Sequence, residues 1–146
     1  MSDDLSKHKA TVVEFVRAMS SGDVTSAFAK LTDDATWFSL STREFVTRES
    51  MQAMVEWAFT SALKGPIVQT VQTMTAEDNR VAVVATGHGV TVDDVVYDQM
   101  YHFLFEFRDG LISKIWEYND TNHAREVFRR GEGGSLSVGD LNGPPG

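Results

Sequence analysis

The chain has 146 residues, of which 42% are hydrophobic and 23% charged, enough for one domain with a sizeable core and too few for two. A net charge of −8 and a pI near 4.8 oppose binding to phosphate backbones and anionic bilayers, so neither nucleic acid nor membrane is an expected partner. With no cysteine there is no disulfide, thiolate metal site or thiol nucleophile. The polar opening MSDDLSKHKA is unlike a secretory signal and no stretch has the apolar length of a bilayer span, which makes the cytoplasm the expected location.

Leu5, Val12, Phe15, Val16 and Met19 recur at helical spacing up to Ser20-Ser21-Gly22, predicting a first amphipathic helix that stops at glycine. Asp23 reads as the N-cap of a shorter helix with Val24, Ala27, Phe28 and Leu31 on one face, ending before Asp33-Asp34. Residues 35–40 (ATWFSL) are short, β-branched and aromatic, and predict a strand. Arg43, Glu44 and Arg48 read as solvated charge in a loop. Thr47 caps a third helix over residues 48–63, with Met51, Met54, Val55, Ala58 and Ala62 inward and Gly65-Pro66 as the stop.

After Pro66 alternation replaces the helical period and predicts strands over residues 67–75, 80–92, 94–108 and 111–118, with Arg108-Asp109-Gly110 as a hairpin turn. A last helix runs over residues 121–130, with Ala124, Val127 and Phe128 on one side. Residues 131–146 carry six Gly and two Pro without a hydrophobic repeat, which sets residues 1–130 as the domain and 131–146 as a flexible tail. Helices followed by an antiparallel meander make an α+β pattern, in which the sheet curls around the helices to bury one face.

Tyr97, Gln99, Tyr101, Phe103, Phe105 and Phe107 alternate and share one face, and the first three bring polar atoms into an apolar surface. The opposite face, with Met100, His102 and Leu104, is more apolar than a solvated face should be, which predicts a homodimer through the sheet. Trp37, Trp57 and Trp116 form either core or an aromatic lining for a flat ligand. Tyr118 shares parity with Trp116 and Asp120, so it is placed in the pocket ahead of Glu117. His88 lies between Gly87 and Gly89, where a strand irregularity either exposes it or lets its imidazole reach a substrate. Asp120, at a strand end before a helix, is either an acid/base carboxylate with a raised pKa in an apolar mouth or the N-cap of that helix. No HExxH, His-x-His, clustered carboxylates or Gly-rich phosphate loop is present, so no metal and no cofactor are expected.

Three stretches resemble the NTF2-like superfamily in its SnoaL-like and ketosteroid isomerase-related branch: VVEFVRAMSSGDVTSAFAKLTDDATW, YHFLFEFRDGLI and IWEYND. The resemblance implies a cone in which N-terminal helices pack inside a curved antiparallel sheet around one pocket. The polar groups of ketosteroid isomerase are not kept: Phe15 stands at its helical Tyr, Ser39 at its base, and Met100 or Tyr101 at its second oxyanion donor. Of the limonene epoxide hydrolase constellation only Asp120 remains, with His88 and Val90 near the other two positions. The resemblance therefore implies a cofactor-independent acid/base enzyme acting on an apolar, cyclic, oxygenated small molecule, of polyketide cyclase, isomerase, dehydratase or epoxide hydrolase type. On this reading Asp120 and His88 are catalytic, and Trp37, Trp57, Tyr97, Gln99, Tyr101, Phe103, Trp116 and Tyr118 hold the ligand. The alternative is a non-catalytic small-molecule-binding or dimeric interaction module of the same fold.

Overall fold

Val12, Phe15, Val16 and Met19, the apolar stripe of α1 (Ser2–Ser21), are all buried, and Gly22 ends the helix at a φ of 84° that a side chain would resist. This arrangement is seen in a computed structural model that describes residues 2–128. The expected tail at 131–146 and the domain boundary at 130 lie outside the described residues. Asp23 caps α2 (Val24–Phe28) by accepting from the Ser26 amide at 3.1 Å. Thr47 caps α3 (Arg48–Trp57) by accepting from Ser50 N at 3.2 Å. From Ala58 to Ala62 the same rod continues as a π-helical segment, with the Leu63 amide bonded to the Ala58 carbonyl at 2.8 Å. A single α-helix through residue 63 was the expectation; Ala58 and Phe59, at the start of the wider segment, face the interior.

The strands are β1 (Leu31–Ser39), β2 (Glu44–Thr47), β3 (Val68–Glu77), β4 (Arg80–Val90), β5 (Val96–Arg108) and β6 (Leu111–Asn119), followed by α4 (Thr121–Phe128). They form one curved, unclosed sheet in the order β2-β1-β6-β5-β4-β3. The expected all-antiparallel sheet is corrected at one joint: β1 runs parallel to β6, and every other pair is antiparallel. A parallel pair needs a long crossover, and α3 with the whole β3–β5 meander supplies it. β1 also starts earlier than expected. Leu31 is buried where a helical face would bury it, but its backbone sits in the sheet opposite Ile112. β2 was hidden by its charges. It is an exposed edge strand, turned back onto β1 through Arg43 at a φ of 61°.

Alternation on β4 and β5 sends Val81, Val83, Ala85, Tyr101, Phe103, Phe105 and Phe107 inward against α1 and α2. Burial of such side chains contributes about 1.5 to 3 kcal/mol each. The opposite face carries a transverse apolar row through Ala82, Leu104, Trp116, Phe38 and Phe45, set by the pairing of their strands. Met100 is 67% exposed on that face and Phe45 44%.

β6 decides which groups enter the interior. Pairing of Phe103 with Glu117 and of Tyr101 with Asn119 turns Ile115, Glu117 and Asn119 inward. Pairing of Leu104 with Trp116 and His102 with Tyr118 turns Trp116 and Tyr118 outward, reversing the sequence expectation for both. The register shifts by one residue between Glu106 and Phe107, so that Ile112 and Ile115, three apart, are both buried.

Candidate functional site

Between the concave face of the sheet and the helices lies a cavity of ≈ 140 Å³. Its floor is aromatic, with Phe15, Trp37 and Phe103 in the wall; its helical side is Met51, Met54, Val55 and Phe59. Polar groups converge from the ends of β1, β5 and β6, among them Ser39, Tyr101, Glu117 and Asn119.

Glu117 is the single carboxylate in the lining among the described residues. Trp37 donates its indole N–H to Oε1 at 2.9 Å, and Asn119 donates Nδ2–H to Oε2 at 3.2 Å. Burial pushes this carboxyl up from the ordinary 4.5 to about 7, and the Trp37 bond opposes the shift only in part. Among the described residues no Lys, Arg or His side chain lines the cavity to offset it. The group therefore passes between acid and base near neutral pH.

The polar end of β5 is held by Gln99, which is 1% exposed. Its Oε1 accepts the amides of Met100 at 2.9 Å and Asp120 at 2.8 Å. Its Nε2 donates to the Tyr97 hydroxyl at 2.8 Å and to the Asp120 carbonyl at 3.0 Å. The side chain is thus fully used, and it ties Tyr97 to the start of α4. The hydroxyls of Tyr97 and Tyr101 hydrogen-bond each other, and burial raises both phenols, Tyr97 to about 12 and Tyr101 well above 10. Both remain protonated donors at neutral pH. Tyr101 holds its place because β4 has no side chain at Gly87: a Cβ there would lie 2.7 Å from the Tyr101 ring.

Of the residues singled out from sequence, Trp37, Tyr97, Tyr101 and Phe103 line the cavity, as do Phe15 and Ser39, the positions compared with ketosteroid isomerase. Gln99 stands behind Tyr97 rather than in the wall. Trp57 is half-buried and packs against the core cluster that contains Tyr97, Ala124 and Phe128, without reaching the lining. The remaining four are corrected. Trp116 is on the outer face, where its Nε1 donates to Glu106 Oε2 at 2.7 Å and its ring meets Phe38 and Phe45. Tyr118 is 41% exposed on the same face. His88 is exposed there too, paired through Nδ1 with Asp98 at 2.6 Å, because its parity on β4 is opposite to that of Gly87 and Gly89. Asp120 is exposed and caps α4, its Oδ1 accepting the His123 amide at 3.0 Å. Sequence reasoning passed over Glu117 and Asn119. The signal for them was the alternation Ile115, Glu117, Asn119, masked by the bulkier Trp116 and Tyr118 on the other parity. Among the described residues no group of three or more His, Asp or Glu is arranged to hold a metal ion.

Residues 12–115 match the sequence profile of the SnoaL-like domain. The chain belongs to the SnoaL-like domain family. The match stops two residues short of Glu117, so the cavity carboxylate is read from this chain's own geometry. Among curated proteins no sequence matches this SnoaL-like domain. Solved structures resemble it in fold. PrhC from Penicillium brasilianum NBRC 6234 is 16% identical with a TM-score of 0.77, the match covering 86% of this chain and 88% of that one. An epoxide hydrolase of the LEH-like type from M. tuberculosis is 16% identical with a TM-score of 0.71, covering 87% and 92%. An NTF2-like protein of unknown function from Burkholderia pseudomallei K96243 is 13% identical with a TM-score of 0.70, covering 83% and 96%. At these identities the likeness establishes the NTF2-like α+β fold alone. Among the described residues no helix is long and apolar enough to cross a membrane.

Proposed function

We infer that this SnoaL-like domain is a cofactor-independent acid/base enzyme that moves a proton on an apolar, cyclic, oxygenated small molecule held in the cavity. The observation carrying this reading is Glu117, the one carboxylate that the described residues bring to an apolar wall, whose pKa is raised to about 7. Acid/base efficiency is greatest when the catalytic pKa lies near the working pH. Glu117 takes the proton-transfer role first given to Asp120, and the hydrogen-bonded Tyr97–Tyr101 pair, with one O–H proton left over, supplies a neutral donor for a substrate oxygen. Isomerisation, cyclisation, dehydration and epoxide opening all use this pair of functions.

The direct test follows proton exchange at the α-carbon of a cyclic ketone, and opening of a cyclic epoxide, by NMR across pH. A limb near pH 7 that vanishes in Glu117→Gln and persists in Asp120→Asn supports the reading. Activity unchanged in Glu117→Gln overturns it. One observation favours the non-catalytic alternative: both oxygens of Glu117 already accept hydrogen bonds from protein groups, Trp37 and Asn119. Ligand binding without turnover of any probe would select that alternative.

The apolar row across the outer face of the sheet supports the homodimer expected from sequence. Phe45, Met100 and Tyr118 leave a broad hydrophobic surface that a second copy would cover.

A further inference from the structure

We propose that the cavity takes a neutral ligand of single-ring size bearing one or two hydrogen-bonding oxygens, holds a fused bicycle more weakly, and turns away larger fused-ring compounds and anions. The inference rests on the acid/base reading for its biological meaning, but its arguments are volume, wall stiffness and charge.

The volume of ≈ 140 Å³ is the first limit. An engineered apolar cavity of about 150 Å³ holds one benzene ring, and pockets for larger organic ligands run from about 300 Å³ upward. A fused tricycle or tetracycle exceeds this volume. The wall also resists expansion on its sheet side. Phe15 packs on Trp37 and Phe105 with ring centroids 6.0 Å and 5.7 Å apart, and Tyr101 stacks on Phe103 at 5.0 Å. Moving any of these rings opens gaps in a close-packed core. The yielding side is α3 with its π-helical extension, where Met54 and Phe59 are only partly buried. Unbranched methionine repacks most readily.

Charge sets the second limit. Among the described residues the ionisable side chains of the lining are Glu117, Tyr97 and Tyr101, each neutral or negative and never positive. A carboxylate or phosphate would be desolvated beside Glu117 with no cation among the described lining residues to pair it, and an unpaired buried ion is strongly disfavoured. Donors at the polar end, the O–H left over in the Tyr97–Tyr101 pair and the protonated form of Glu117, suit a ketone, epoxide or alcohol oxygen.

The test is an NMR titration of the full chain, read at the Trp37 indole N–H, which reports directly on Glu117. The probes are cyclohexanone, 1-tetralone, a four-ring steroid ketone, cyclohexanecarboxylate and cyclohexylamine. Cyclohexanone is expected to shift the resonance saturably and 1-tetralone to bind about tenfold more weakly, while the steroid and the carboxylate leave it unmoved. Met54→Ala should close the gap between the two ketones, and Phe59→Leu provides the same enlargement should the first variant fail to fold. The inference is overturned by a steroid or tetralone that binds as tightly as cyclohexanone, or by binding of the carboxylate. It is equally overturned by cyclohexylamine binding more tightly than cyclohexanone at about pH 8, where Glu117 is ionised, or by no probe moving Trp37. Size-selective binding with no proton exchange in any probe would instead remove the acid/base reading and leave this inference standing. Exchange of a bound steroid would do the reverse.

Discussion

Trp37 and Glu117 meet across 80 positions of sequence, the indole N–H of β1 donating to the carboxylate of β6 at 2.9 Å. The contact exists because β1 and β6 run parallel, with Phe38 beside Trp116 and Ser39 beside Glu117. Two neighbouring strands thereby hold one proton-exchanging group in a fixed orientation.

Burial of that group makes stability depend on pH. Glu117 has a folded pKa of about 7 against an ordinary 4.5, so between these values the folded chain binds more protons than the unfolded one. Its stability therefore falls as pH rises through this window and levels off above it, by up to about 3 kcal/mol. Glu117→Gln should flatten the slope and make the protein more stable than the wild type at about pH 8. Denaturant midpoints at several pH values would show this, and a carboxyl ¹³C resonance titrating near the ordinary value would contradict it.

Asp120 behaves as a structural residue in the geometry. Asp120→Ala removes the acceptor for the His123 amide and should cost about 0.5 to 2 kcal/mol in thermal or denaturant unfolding. Asp120→Asn retains a capping oxygen and should cost a few tenths of that. Loss of turnover in Asp120→Asn with the fold intact would reinstate it as a chemical group.

Gly87→Ala tests how Tyr101 is positioned. The added methyl would lie 2.7 Å from the Tyr101 ring and 2.9 Å from Ile67 Cγ2, so one of them must move. We expect a destabilisation of about 1 to 3 kcal/mol and a displaced Tyr101 ring. Chemical shifts of Tyr101 unchanged from the wild type would show that the close approach has no role.

The outer sheet face should be the dimer surface. Met100→Asp places a charge where 67% of a methionine is exposed, and should yield monomers by light scattering while leaving cavity ligands bound. A wild-type monomer at micromolar concentration, or a dimer unaffected by Met100→Asp, would redirect the search to another surface.

Local periodicity and local capping needed no tertiary information. The helical stripe of Val12, Phe15, Val16 and Met19, the caps at Asp23 and Thr47, the turn at Gly110 and the shared face of Tyr97 through Phe107 all follow from spacing and backbone chemistry within a few residues. The α+β order of elements was legible for the same reason. The inward face of β6 was not, because alternation separates two faces without naming the buried one, and a one-residue shift exchanges them. That choice was made by the pairing of Phe103 with Glu117, together with the register shift after Glu106. The pairing put Glu117 in the cavity and Trp116 and Tyr118 outside. It also left Asp120 at an exposed helix start, where a carboxylate that looked catalytic in sequence serves a backbone amide instead. A carboxyl group's chemistry depends on the water and charge around it, and those are assembled by strands distant in the chain.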